Sequence, residues 1–303
     1  MNCIQTAKIF IIITLLAGKL SLYSQQTGAL YYFAVGSSHY TKTNDSSADN
    51  FSNLEHSKYS AEIFKKSCLN LGAKKGVILS SSEKEPISSV KIFSSLKSFI
   101  SKIKKDKTKN KLLLLYFCGH GIAEKETKTV LFLPGNINSV ITSSDIGTYI
   151  KKLEPSINFL IFFDCCYDLS LVNPGLRQVD SSEAYARRIN RQVVTKNFYV
   201  RLTIIGREED LMKKNPAIFA AKPGESAKFL PSPINSDSAS KIGPLSRRLY
   251  LITQEWKKKP LKFVDFFRQF MDPSFDPLTI SMSTNFEHGC DCPWQKLLNF
   301  EKK

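Results

Sequence analysis

Two stretches of the chain, Leu112–Gly121 (LLLLYFCGHG) and Phe159–Cys166 (FLIFFDCC), each run from an unbroken apolar segment into residues that can carry chemistry. Apolar runs of this length are typical of strands in a parallel sheet that is covered on both faces. In an open α/β sheet, binding and catalysis gather just beyond the carboxyl ends of such strands. The two stretches therefore predict a fold class, and they also predict the edge of the sheet where a site should lie.

The two predicted strand ends supply an imidazole and a thiol. His120 closes the first stretch and Cys166 closes the second, 46 positions later. A thiol attacks a carbonyl only as the thiolate, so it needs a neighbouring base, which can later protonate the leaving amine. The residues therefore predict a cysteine–histidine hydrolase with His120 and Cys166 as the catalytic pair. We expect the backbone N–H groups of Gly121 and Cys166 to hold the oxyanion, and Cys165 to pack beneath the site.

The rest of the chain alternates between strand patterns and helix patterns. Strands are predicted at 28–36, 76–80, 112–115, 130–133, 159–163, 200–205, 217–221 and 278–282, and helices at 54–71, 87–103, 144–153, 243–256 and 263–271. Loops are predicted at 41–53 and 226–240, and a long exposed segment at 173–197. This alternation predicts a single α/β domain over 25–303, with a mostly parallel central sheet of about six strands and helices on both faces.

The first 24 residues differ in kind from the rest of the chain. Lys8 precedes the apolar run Ile9–Ala17, and the small-residue stretch Ser21–Ser24 follows it. This order predicts a secretory signal peptide over 1–24, cleaved after Ser24, and a mature protein that is secreted or periplasmic. The apolar run is short for a membrane span, and an uncleaved anchor is the alternative. No later segment has the pattern of a transmembrane helix, so we expect no stable membrane span after signal removal.

The chain is strongly basic, with 43 Lys and Arg against 27 Asp and Glu and a formal net charge of +16. Its densest lysine cluster lies at 102–111, between a predicted helix and the first catalytic strand. The cluster lacks interleaved aromatic residues and matches no nucleic-acid-binding motif. We therefore expect a solvated connection and no nucleic-acid partner, and binding to an anionic surface is the alternative that charge alone suggests.

Two groups of residues could in principle ligate a metal. The first is Cys118 and His120 with one of the cysteines at 165 and 166, and the second lies within His288–Cys292. Neither group has the spacing of the usual zinc ligands. We therefore expect no metal in the site.

The two strand-end motifs resemble those of caspase-like cysteine peptidases, most closely the bacterial metacaspase-type members. In that clan one apolar strand ends in Tyr-Phe/Tyr-Ser-Gly-His-Gly and a later one ends in Asp-Ser/Cys-Cys-His-Ser-Gly. Tyr116–Gly121 matches the first motif with a cysteine in the serine position, and Asp164–Cys166 matches the start of the second. The resemblance spans roughly 29–285. It includes Ala220–Ala227, similar to the strand that leads into the clan's specificity loop, and Gly243–Ser246, similar to a helix start.

The resemblance implies a caspase-like sandwich and an endopeptidase that cuts peptide or protein substrates. It implies that Asp164 binds a basic P1 side chain. A second contact with that side chain would come from the residue before the alanine of the first helix, which is Ser60 in this chain. It implies no cofactor and leaves calcium activation open. Self-processing would fall near Arg187–Arg191, between the nucleophile and the specificity segment.

The chain also departs from the clan's pattern. Cys166 is followed by Tyr167–Leu169 instead of His-Ser-Gly, and Ser60 stands where metacaspase-type members usually carry an acid. These departures keep a second interpretation open. The chain would then be a catalytically lapsed caspase-like protein that binds a peptide or a protein partner.

Overall fold

The fold was analysed in a computed structural model of the chain. The structure describes residues 28–40, 53–82, 85–108, 110–123, 130–135, 140–166, 217–220, 227, 229–234, 241–258, 269–270 and 283–284. Several sequence predictions fall outside these residues: the signal peptide at 1–24, the exposed segment at 173–197 with Arg187–Arg191, the strands at 200–205 and 278–282, and His288–Cys292.

The predicted elements form wherever the structure describes them. The described strands are β1 (Ala29–Gly36), β2 (Lys75–Ser80), β3 (Lys111–Ala123), β4 (Val130–Leu133), β5 (Ile157–Cys166), β6 (Ala217–Phe219), β7 (Leu230–Pro231), β8 (Lys241–Ile242) and β9 (Ser283–Thr284). The described helices are α1 (His56–Asn70), α2 (Ser89–Lys104), α3 (Ser143–Leu153) and α4 (Pro244–Lys258).

The main sheet has the strand order β2-β1-β3-β5-β6-β9, and β4 pairs with the far end of β3. The pairs of β1 with β2 and β3, and of β5 with β3 and β6, are parallel. Strands β4 and β9 are antiparallel to their neighbours. The prediction of an α/β fold with a mostly parallel sheet of about six strands is therefore confirmed.

Helices cover both faces of this sheet. On one face the Phe64 ring of α1 stacks on Tyr116 at 4.6 Å and lies 5.6 Å from the Phe162 ring, and α4 packs beside α1. On the other face Phe99 of α2 packs edge-on against Tyr31 of β1 at 6.5 Å. The continuous apolar runs of β3 and β5 follow from this arrangement, because alternate side chains enter two different cores and both must be apolar. Burying each large side chain contributes about 1.5–3 kcal/mol.

Local sequence signals mark the ends of the helices. Helix α1 ends at Asn70 and is followed at position 72 by Gly72, whose φ of 85° lies in the left-handed region that glycine adopts without steric cost. Helix α2 begins where the Ser88 hydroxyl accepts a hydrogen bond from the Lys91 N–H at 3.1 Å. Helix α3 begins with a capping box, in which the Thr142 hydroxyl accepts from the Asp145 N–H at 3.0 Å and the Asp145 carboxylate accepts from the Thr142 N–H at 3.1 Å.

Two predictions of element bounds are wrong. His120 and Cys166 were expected just beyond their strands, but β3 continues to Ala123 and β5 continues to Cys166. Strand β3 continues because β4 pairs with its residues 120–123, beyond the point where its pairing with β1 ends. The segment 226–240 was expected to be a loop throughout, but it contains β7, which pairs antiparallel with β8.

The capping box of α3 gives a stability prediction. Replacing Thr142 with Ala removes the side-chain acceptor for the Asp145 N–H, so we expect the free energy of unfolding to fall by about 1 kcal/mol. Thr142→Ser keeps the hydroxyl and serves as the matched control, with a much smaller loss. Urea denaturation of the three proteins measures both changes. Equal losses in the Ala and Ser variants would contradict the capping role.

Candidate active site

The two predicted catalytic positions are neighbours across the β3–β5 pair. The parallel register runs from Lys111 opposite Ile157 to His120 opposite Cys166. Paired strands lie about 4.8 Å apart, and alternate positions along a strand share a face of the sheet. Positions 120 and 166 therefore lie side by side on one face. The structure describes the Cys166 backbone, whereas its side chain lies outside the described part.

Strand β4 flanks His120 on its other side. Leu133 of β4 pairs with His120, and Phe132 pairs with Gly121. The Phe132 N–H and C=O both bond to Ile141, at 2.9 Å each, so they point away from β3. When one residue of an antiparallel pair points its N–H and C=O away from the partner strand, the residue opposite it does the same. The Gly121 N–H therefore points toward the β5 side of β3, where Cys166 ends its strand.

Tyr40, in the loop after β1, holds the His120 backbone. The His120 N–H donates to the Tyr40 hydroxyl at 2.7 Å, and the two rings lie 4.7 Å apart between centroids at an interplanar angle of 59°. The His120 side chain is buried, at 3% exposure. Sequence reasoning missed Tyr40, because nothing in a Ser-Ser-His-Tyr loop sequence shows which strand it will meet.

The glycine before His120 makes room for this tyrosine. A Cβ on Gly119 would lie 2.6 Å from the Tyr40 hydroxyl and 3.0 Å from the Phe132 ring. The side chain that residue 119 lacks therefore leaves room for Tyr40.

Asp164 belongs to β5, its carboxylate lies against the start of α4, and the residue is 1% exposed. Its carboxylate accepts hydrogen bonds from the Tyr116 hydroxyl at 2.7 Å, the Leu245 N–H at 3.2 Å and the Ser246 N–H at 3.0 Å. A carboxylate at a helix N-terminus satisfies amides that have no partner within the helix and interacts favourably with the helix dipole. The described contacts therefore give Asp164 a structural role, and its predicted contact with a substrate stays a prediction.

Burial raises the pKa of the Asp164 carboxyl to about 6, above its usual value. The hydrogen bonds from Tyr116, Ser246 and Leu245 act in the opposite direction, because they favour the charged form. The folded protein thus holds this proton more tightly than the unfolded chain does.

Ser60, the other predicted substrate contact, meets Asp164 at the same turn. Its hydroxyl donates to the His56 carbonyl of α1 at 2.7 Å and accepts from the Gly243 N–H at 2.8 Å. A Cβ on Gly243 would lie 2.2 Å from the Asp164 carboxylate. The structure therefore brings Ser60 and Asp164 to one place, and both are buried against the turn that opens α4.

Cys118 and Cys165 lie near the site on opposite faces of the sheet. Cys118 is buried on the Asp164 side, and burial with the nearby carboxylate raises the pKa of its thiol well above the usual range. Cys165 is also buried, and its thiol donates to the Phe117 carbonyl at 3.5 Å. Both are free thiols. The position of Cys165 agrees with the prediction that it packs beneath the site.

The described residues contain no group of three or more His, Cys, Asp or Glu side chains that could hold a metal ion. Among the same residues, no helix is long and apolar enough to cross a membrane.

Comparison with known proteins leaves the family open. No family model matches the chain, and no curated protein matches it. Among solved structures, a structural-genomics protein from Geobacter sulfurreducens is similar with a TM-score of 0.45 and 11% identity, covering 85% of this chain and 91% of that one. Raptor from Chaetomium thermophilum is similar with a TM-score of 0.30 and 11% identity, covering 84% of this chain and 19% of that one.

The buried Asp164 carboxyl gives a pH prediction. Its pKa is higher in the folded protein than in the unfolded chain, so stability is greatest where the group is protonated in both states. We expect the free energy of unfolding of the wild type to fall by about 2 kcal/mol, relative to Asp164→Asn, as pH rises from about 4 to about 6. Urea denaturation across this range measures the difference.

A matched control is Asp106→Asn. Hydrogen bonds from Thr108 and Tyr31 hold the pKa of the Asp106 carboxyl below its usual range, so its contribution to stability changes only at lower pH. The control should therefore keep the wild-type slope between pH 4 and 6. A constant difference between wild type and Asp164→Asn over that range would contradict the prediction.

Proposed function

We propose that this chain is an exported cysteine endopeptidase of the caspase-like type, with Cys166 as nucleophile and His120 as its base. The observation that carries the proposal is the pairing of His120, within β3, with Cys166 at the end of β5. A nucleophile and its base must lie within hydrogen-bond reach of each other. Adjacent positions on one face of paired strands meet that requirement at the level of the backbone.

The proposed reaction uses these residues in two steps. His120 accepts the thiol proton, and the Cys166 sulfur forms a bond to the peptide carbonyl carbon. Backbone N–H groups of Gly121 and Cys166 hold the negative oxygen that develops. The C–N bond then breaks as the imidazolium protonates the leaving amine. Water, deprotonated by the same imidazole, hydrolyses the resulting thioester and frees the thiol.

The substrate in this proposal is a peptide bond with an open P1 preference. A basic P1 side chain would have to reach Asp164, which is buried and already accepts three hydrogen bonds. The geometry around Asp164 therefore does not favour Arg or Lys at P1.

Peptide turnover tests the proposal. Purified protein should cleave at least one member of a fluorogenic panel with Arg, Lys or Asp at P1, assayed with and without calcium and with reductant present. Cys166→Ala and His120→Asn should each lower kcat by at least about 100-fold, because each removes one half of the pair. Cys165→Ala, which changes the neighbouring buried thiol, is the matched control and should keep most of the activity.

Loss of activity in Cys165→Ala with retention in Cys166→Ala would contradict the assignment of the nucleophile. No cleavage of any peptide under these conditions, with no faster alkylation of Cys166 in folded than in unfolded protein, would contradict the enzymatic proposal.

A second candidate is a lapsed caspase-like protein that binds a peptide or a protein. The low exposure of His120, at 3%, favours it, since a catalytic imidazole has to reach the substrate. The residues Tyr167–Leu169, which replace His-Ser-Gly, favour it as well. Peptide binding that Cys166→Ala leaves unchanged, with no turnover in the wild type, would support this candidate over the first.

Export and self-processing are part of the first proposal and have one joint test. Intact mass and N-terminal sequencing of the wild type and Cys166→Ala, expressed with residues 1–24, should both show a new terminus after Ser24. Only the wild type should show a second cut, near Arg187–Arg191. An intact N-terminus would contradict export through a cleaved signal, and an identical second cut in both proteins would contradict self-processing.

A further inference from the structure

We infer that Tyr40 is a positioning residue for His120, which it holds through its hydroxyl on the backbone N–H and its ring against the imidazole. The inference rests on the proposed catalytic role of His120 and adds to it a residue outside both strand motifs. Tyr40 lies in the loop that follows β1, next to the point where β3 stops pairing with β1 and starts pairing with β4.

Strand β3 changes its neighbour at a junction beside His120. Strand β1 pairs with β3 as far as Cys118, and β4 pairs with β3 from His120 onward. A buried backbone N–H at such a junction needs an acceptor, since leaving it unpaired is costly.

The Tyr40 hydroxyl occupies this junction. It accepts from the His120 N–H at 2.7 Å, and it lies 3.2 Å from the Ser37 carbonyl after β1 and 3.4 Å from the Leu133 carbonyl at the end of β4. One hydroxyl thus links a residue within β3, the residue that follows β1 and the last residue of β4. Tyr40 is 7% exposed, and burial raises the pKa of its phenol well above the usual range, so the hydroxyl keeps the proton it donates.

Packing alone does not explain these contacts. A phenylalanine would fill the same space and contact the His120 ring. The tyrosine hydroxyl also accepts from the His120 N–H and directs its single proton toward the carbonyls of Ser37 and Leu133. Gly119 supplies an independent observation. Its missing Cβ leaves room for the hydroxyl, which a Cβ would approach to 2.6 Å. The position of Tyr40 therefore requires a residue without a side chain at position 119, within the motif Tyr116–Gly121.

The consequence for catalysis is orientation of the imidazole. The backbone at position 120 fixes where the ring can point, and the Tyr40 ring, at 4.7 Å, restricts its rotation. Small displacements of a catalytic group cost between about 10- and 100-fold in rate. Removing the hydroxyl should therefore lower kcat and leave KM within about twofold, because Tyr40 acts on the base and not on the substrate.

The test combines kinetics with NMR of the histidine rings. The chain has four histidines, so ring nitrogens labelled with ¹⁵N can be followed individually, with His120→Asn assigning the signal. In Tyr40→Phe we expect the His120 ring signals and their pH titration to change, with kcat lowered by about 10-fold or more. Tyr59→Phe, at a tyrosine that is 56% exposed on α1, is the matched control and should change neither.

Gly119→Ala is the second variant, since it displaces the hydroxyl while keeping Tyr40. Its effect should not add to that of Tyr40→Phe in the double variant. Amide hydrogen exchange on the wild type covers the case in which neither variant folds. The His120 N–H should then be strongly protected, and exchange as fast as in an exposed loop would overturn the inference.

The outcomes separate this inference from the proposed function. Unchanged His120 signals and unchanged kcat in a folded Tyr40→Phe overturn the role of Tyr40 and leave the peptidase proposal intact. Absence of turnover in the wild type overturns the peptidase proposal, and the NMR titration still decides whether Tyr40 positions the imidazole.

Discussion

The register between β3 and β5 is the constraint on which the rest of the molecule depends. Both strands are apolar on both faces, so their hydrophobic pattern alone specifies the pairing weakly. The buried hydrogen bond between the Tyr116 hydroxyl and the Asp164 carboxylate, at 2.7 Å, joins the two strands on one face and supplies the missing specificity. A slip of one residue would put Asp164 on the other face and leave it without its partners. It would also part His120 from Cys166.

The same carboxylate ties the sheet to its helices. Asp164 accepts the first N–H groups of α4, and Ser60 of α1 accepts the N–H of Gly243 just before it. The turn that opens α4 therefore fits only when both helices and both strands are in place. On the opposite side of His120, Tyr40 performs a comparable task for β1, β3 and β4. The candidate dyad thus lies between two buried polar clusters, each of which joins several elements.

The sequence predicts the sheet well because the relevant forces are local or depend on pattern. Unbroken apolar runs identified β3 and β5, and Gly72 marked the end of α1, since a left-handed residue there favours glycine. The pairing of His120 with Cys166 followed from the rule that parallel strands end at one edge. The expected strand ends were wrong, because the antiparallel β4 extends β3, and that pairing depends on a tertiary contact.

The roles of individual polar side chains were less predictable. Asp164 was predicted as a substrate contact by resemblance, whereas its described partners are Tyr116 and two N–H groups at the start of α4. Those two groups, on Leu245 and Ser246, lie 81 and 82 residues after Asp164 in the chain. Tyr40 lies 80 positions before His120 and belongs to a loop with no periodic pattern. Partnerships over such separations are decided by register and packing, which no local pattern contains.

The central claim is that the imidazole of residue 120 activates the thiol of residue 166. Its most direct test is the pH dependence of Cys166 alkylation, followed by mass spectrometry in the wild type and in His120→Asn. We expect the wild-type thiol to react with an apparent pKa well below the usual value of about 8.5, and His120→Asn to restore a value near it. Identical profiles in the two proteins would show that the imidazole does not activate the thiol.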